Sequence, residues 1–141
     1  MSITRIALAS IAAFVAYFAI GFLTFAAGPL RREYENYKTI YRSQEGMKSV
    51  MPAGMLAMLV AMVVLTILYA GMYRGGSPLA SGARFGALIG LFAVCAFVIH
   101  NYVNLNIGLR LTIGQAVAYF VEWVVVGIVI GAVYRLPAAS R

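Results

Sequence analysis

The sequence predicts an all-α integral membrane protein: a four-transmembrane-helix bundle with an interfacial helix between spans one and two. Three observations lead there. Of 141 residues, 63% are hydrophobic and 11% charged, where soluble domains run near 45–50% and ~25%, and the mean hydropathy is +0.91. Four apolar runs are each long enough to cross a hydrocarbon core ~30 Å thick as a helix. The stretches between them are polar, rich in Gly and Pro, or almost absent. This composition excludes a soluble enzyme with an ordinary wetted surface and a disordered chain. A single Cys excludes a disulfide scaffold. The length suits one domain over residues 1–141, with spans at about 6–28, 53–73, 85–107 and 111–134. The spans must be helical because no backbone group facing lipid can be left unpaired.

The first run is closed by Pro29. Arg5 ahead of it gives a signal-peptide look, but the run exceeds the 7–15 residues of such a segment, so a retained span is expected. Residues 30–51 follow, polar and tyrosine-rich. Tyr34, Tyr37, Tyr41, Met47 and Met51 recur near helical spacing, with Arg32, Glu35, Arg42 and Glu45 between them. That pattern predicts a short helix lying in the interface, tyrosines towards the acyl chains. The alternative is an ordinary loop whose tyrosines belong to the aromatic belt. Span two carries Met51, Met55, Met58 and Met62, continued by Tyr69 and Tyr73, a heptad seam expected to pack in the core rather than to ferry a soft metal ion. Gly75, Gly76, Pro78 and Gly82 mark a turn before span three. Spans three and four are joined by so few residues that they must form a tight antiparallel hairpin. Cys95, alone in an apolar run, is expected to be a small buried hydrophobe.

The formal net charge is +7 and the pI near 9.9. The basic residues stand between the apolar runs with no basic stripe, so anionic lipid headgroups explain them and nucleic acid does not. Both termini share a side with Arg5, Arg74, Arg84, Arg135 and Arg141; the other side holds Arg31, Arg32, Lys38, Arg42, Lys48 and Arg110. Five against six leaves orientation undecided by the positive-inside rule, with the cluster in residues 30–51 favouring a cytoplasmic loop.

Helices associate in lipid through small residues and interhelical hydrogen bonds. Gly82, Gly86 and Gly90 form such a stripe on span three, Gly127 and Gly131 on span four, and Ala9, Ala12, Ala13, Ala16 and Ala19 line span one. The glycine stripes lie at similar depth, so they are expected to meet each other, another helix or another protomer. Polar residues gather further along: His100, Asn101, Asn104 and Asn106 on span three, and Gln115, Tyr119, Glu122 and Trp123 on span four. Ionisable groups at membrane depth point to a bundle interior, a cavity or a partner. His100 and Glu122 differ by ~6 Å in depth, and their side chains lean towards one another, so their two faces are expected to meet. Gly127 and Gly131 lie ~140–180° round the helix from Glu122. Span four therefore cannot present both its carboxylate and its glycines to span three.

The sequence HNYVNLNIGLRLTIGQAVAYFVEWVVVGIVIGAVYR, with GARFGALIGLF before it, resembles small four-span bacterial membrane proteins classed as domains of unknown function. The resemblance implies a bacterial origin and a multi-pass location in the cytoplasmic membrane, with no activity and no functional residues to transfer. From the residues themselves, the expected role is a structural or accessory subunit, a homo-oligomer or part of a larger membrane complex, packed through glycine stripes. The alternative is a small proton-linked transporter using His100, Asn101, Asn104, Gln115, Tyr119 and Glu122. Ser10, Tyr17 and Thr24 form a polar stripe on span one, but no nucleophile–base pattern accompanies them, so no enzyme is expected. No metal or cofactor is expected either; a haem on His100 is the remote exception.

Overall fold

Hydropathy locates the spans, and capping chemistry decides where two of them begin. The computed structural model describes residues 2–135, so Arg141 lies outside the described residues. Within them stand four membrane-length helices, Ile3–Ala26, Gln44–Met72, Pro78–Asn104 and Leu109–Tyr134, and no strand. The third span begins at Pro78, not at residue 85. Ser77 accepts a hydrogen bond from the Ala80 amide (3.3 Å), and Pro78 takes the first helical position, where a missing N–H costs nothing.

The second span likewise starts at Gln44 rather than 53. Ser43 caps it through the Gly46 amide (3.1 Å), and the helix runs on through Pro52. An interior proline removes one helical hydrogen bond, and here it does not end the helix. A separate helix does stand between the first two spans, and this early start makes it shorter than residues 30–51 would allow. Only Leu30–Glu35 forms a separate helix; residues 36–40 are turns, and 44–51 belong to the second span.

The fourth span is the hub of the bundle. It packs most extensively on the third and then on the first, which in turn holds the second. The third and fourth spans meet through both glycine stripes. A Cβ on Gly82 would run into the Gly127 carbonyl, one on Gly86 into the Trp123 carbonyl, and one on Gly131 into the Pro78 carbonyl. Gly90 is looser, 3.1–3.3 Å from Phe120. Backbones this close are possible only where side chains are absent. The glycines are thus used within one chain.

The rest of the core lies towards the end that carries both termini. Met62, Tyr69 and Tyr73 of the second span pack with Ala9, Ala13, Phe85, Val126, Ile130 and Tyr134. The methionine seam is therefore buried only in its later part: Met58 sits at the edge of the core, and Met51 and Met55 are exposed. Cys95, expected inside, is exposed on the outer surface of the third span. Gly75 and Gly76, at φ 103° and 87°, turn the chain between spans two and three in a conformation that suits glycine.

Candidate functional site

Thr112, Gln115, Tyr119 and Glu122 recur at helical spacing on one face of the fourth span. The opposite face is committed to the glycine contact, so this polar face turns towards the first span and the loop that follows it. Glu122 stands halfway along the 26-residue helix, ~20 Å from either end and thus at the middle of a bilayer. Its residue exposure is 1%. Neither carboxylate oxygen has a hydrogen-bond partner among the described residues.

The carboxylate faces the first span at Gly21, where an added Cβ would lie 3.0 Å from Oε1. Tyr119 stands about one turn before it on the same face, and Tyr17 one turn before Gly21 on the first span. Tyr17 packs on Trp123, ring centroids 5.4 Å apart, and Tyr119 on Phe25 at 5.2 Å. Directly after Gly21 the helix widens into a π-turn, Phe22–Ala26, and the Thr24 hydroxyl donates to the Ile20 carbonyl (2.5 Å). π-turns inside helices are often found at functional sites. Ser10, further down the same stripe, donates to the Ile6 carbonyl (2.7 Å).

A cluster of tyrosines closes the loop end of this face. The Gln115 side-chain amide donates to the Tyr34 hydroxyl (2.5 Å) and the Tyr41 hydroxyl (3.3 Å). The Tyr34 and Tyr41 rings meet edge to face at 4.7 Å, and Phe25 lies 6.0 Å from Tyr34. The Gly108 amide donates to the Tyr37 hydroxyl (2.9 Å). Burial pushes the Tyr34 hydroxyl above the ordinary tyrosine range, opposed in part by the bond from Gln115. Arg110 pairs with Glu33 at 3.0 Å on the rim, an exposed pair contributing ~0–1 kcal/mol. The tyrosines expected to face acyl chains therefore fold back over the bundle, because the buried amide of Gln115 needs partners that only the loop can bring.

The expected meeting of His100 with Glu122 does not occur. His100, Asn101 and Asn104 are exposed on the outside of the third span, and Glu122 points away towards the first. The reason is a π-helical stretch, Val94–Ile99, immediately before His100. One extra residue in a turn rotates everything after it by ~100° on the helical wheel. That rotation carries His100 off the face that holds Gly82, Gly86 and Gly90. Of the six polar residues singled out in the sequence, the structure brings together Gln115, Tyr119 and Glu122 and leaves the other three outside.

Gly21, which completes the site, escaped sequence reasoning, and Tyr17 stood there only as part of the polar stripe of span one, with no link to Glu122. Their spacing of four, continued by Thr24 and Phe25, was the available signal, since it puts all of them on one side of the first span. No group of three or more His, Cys, Asp or Glu that could hold a metal ion gathers among the described residues.

Over residues 8–131 the sequence matches the family described as protein of unknown function, DUF1761. The chain belongs to that family. The match takes in the second and third spans, most of the first and fourth, and both glycine stripes, and with them Glu122, Tyr119 and Gln115. No curated protein and no solved structure matches this DUF1761 member. It is a multi-pass membrane protein by the length and composition of its helices.

Proposed function

We propose that this protein is a small proton-linked transporter or permeation protein whose proton-binding group is the Glu122 carboxyl. One observation carries the reading: a carboxyl at mid-membrane depth, buried, with both oxygens unpartnered. An ionised carboxylate without a partner is costly there, and purely structural polar residues are normally hydrogen-bonded. A proton is the ligand that such a group takes without needing space, and the side towards Gly21 is closed enough that even an added Cβ would stand 3.0 Å from Oε1. Tyr119, Gln115, Tyr34 and Tyr41 supply hydroxyl and amide groups from the carboxyl to the loop end. Reconstitution in liposomes with an internal pH dye tests it. An imposed pH gradient should collapse faster with wild type than in empty vesicles, and Glu122→Gln should remove most of that difference. Equal rates for wild type and empty vesicles would overturn the reading.

A second reading, a structural or accessory subunit, keeps one observation in its favour. The early part of the second span, with Met47, Met51, Met55 and Leu56, is exposed, and nothing stands within 4 Å of a Cβ on Gly54. A second copy or a larger membrane complex would cover this helix, not the glycine stripes, which are occupied within the chain. Crosslinking a Gly54→Cys variant that also carries Cys95→Ala, in native membranes, tests it, since a homo-oligomer packed through this helix gives a dimer band. Neither reading requires a cofactor or a catalytic residue. An absorption spectrum free of a Soret band would remove haem on His100. The setting we infer is the bacterial cytoplasmic membrane, supported by the resemblance to small bacterial four-span proteins.

A further inference from the structure

The charges of this chain are divided unequally between the two ends of the bundle. Three of its four acids, Glu33, Glu35 and Glu45, lie at the loop end, and the fourth is Glu122 at mid-depth. The opposite end holds Arg5, Arg74, Arg84 and Arg135 without any carboxylate side chain. Two of these arginines are engaged by backbone. Arg5 Nη1 donates to the Arg135 carbonyl (2.6 Å) and Arg135 Nε to the Ala132 carbonyl (2.8 Å), which serves the end of the fourth helix. Arg74 and Arg84 are exposed and form no ion pair among the described residues.

Both line a recess of about 290 Å³ between the second and third spans, together with Tyr69, Tyr73, Ser81 and Phe85. The floor is built and held. Tyr69 and Tyr73 are buried and stacked at 5.4 Å. The Tyr69 hydroxyl donates to the Pro78 carbonyl (3.3 Å) and the Tyr73 hydroxyl to the Gly76 carbonyl (2.8 Å). With the protons of those hydroxyls committed, the side chains left to donate to a ligand are the two guanidinium groups and the Ser81 hydroxyl. The volume sits at the lower edge of small-molecule sites, ~300 Å³. A recess of this size admits a compact anionic group. Arg74 follows the last turn of the second span directly, and Arg84 lies within the first two turns of the third, so both stand at headgroup depth.

We propose that this recess binds a phosphate group, gripped by Arg74 and Arg84, whether carried by an anionic lipid or free in solution. Guanidinium groups match phosphate oxygens in charge and in planar donor geometry, and basic recesses between membrane helices suit lipid headgroups. The site shares no residue with the Glu122 face and stands independently of the proton reading.

The test is binding by delipidated protein in detergent, followed by native mass spectrometry and calorimetry. The probes are short-chain phosphatidylglycerol, the matching diacylglycerol without phosphate, and inorganic phosphate. Phosphatidylglycerol should bind at least tenfold more tightly than diacylglycerol. Arg74→Gln and Arg84→Gln should each weaken it about fivefold, and Arg135→Gln, outside the recess, should not. Circular dichroism confirms that each variant remains helical, and Arg74→Lys with Arg84→Lys should restore part of the affinity. Displacement by millimolar inorganic phosphate would mark the free ion as an alternative source; lipid binding without displacement would mark the lipid-borne group. Equal binding of phosphatidylglycerol and diacylglycerol, or unchanged affinity in the doubly substituted Arg74→Gln, Arg84→Gln protein, would overturn the proposal.

Discussion

Gly21 of the first span faces Glu122 of the fourth so closely that a methyl group on it would stand 3.0 Å from the carboxylate oxygen. The obstacle is the far end of a side chain, not backbone, so the carboxyl can shift while the helices stay in place. Gly21→Ala should therefore lower the melting temperature by only a few degrees, ~1 kcal/mol or less. Proton flux in liposomes should fall severalfold because the reacting group has moved. A full-rate Gly21→Ala protein would argue that the position of Glu122 is not critical.

The glycine contact predicts a sharp contrast between positions. At Gly82, Gly86 and Gly127 an added Cβ meets backbone of the facing helix. Alanine there should destabilise by ~1–3 kcal/mol through forced separation of the helices. At Gly54 and Gly71 nothing lies within 4 Å, and alanine should be neutral or stabilising by up to ~1 kcal/mol through helix propensity. Thermal unfolding in a mild detergent, followed by circular dichroism, separates the two groups.

Gln115 ties the loop to the bundle through Tyr34 and Tyr41. Gln115→Leu removes both bonds and strands the two hydroxyls, a loss of ~1–3 kcal/mol at the loop. Limited trypsin digestion should then cut sooner at the exposed Arg31, Arg32 and Lys38, while the spans stay protected. An unchanged cleavage rate would show that the loop is held by other contacts.

His100 offers a check on the arrangement of the third span. It is exposed and lies on the far side from Glu122, so His100→Ala should change stability by less than ~0.5 kcal/mol. Proton flux should not change. A His100→Ala protein as inactive as Glu122→Gln would place the two groups on one path, contrary to the structure.

Much of this architecture was legible because it follows from composition and period. Four apolar runs of membrane length can only be helices in lipid, and the spacing of Gln115, Tyr119 and Glu122 puts them on one face whatever the neighbours do. The wheel also showed that Glu122 and Gly127 must face different partners. Two kinds of feature were hidden. Ser43 and Ser77 started helices inside segments that hydropathy reads as loop, since capping depends on one hydroxyl and not on apolar content. The π-turn before His100 left no recognisable mark in VCAFVI, and a single extra residue in that turn was enough to rotate the imidazole away.

By itself, then, the sequence determined the class, the number of spans, the tight turn between the third and fourth, and the isolation of one acid at mid-depth. Tertiary structure decided which face meets which. Helical period gives angles within one helix but no phase between two, and that phase came from backbone contact at Gly82, Gly86 and Gly127. With the glycines locked against the third span, Glu122 had only the first span to face, at Gly21 and Tyr17. In a bilayer, where apolar side chains are as well solvated by lipid as by protein, the closest backbone packing chooses the partners, and the polar residues take the faces that remain.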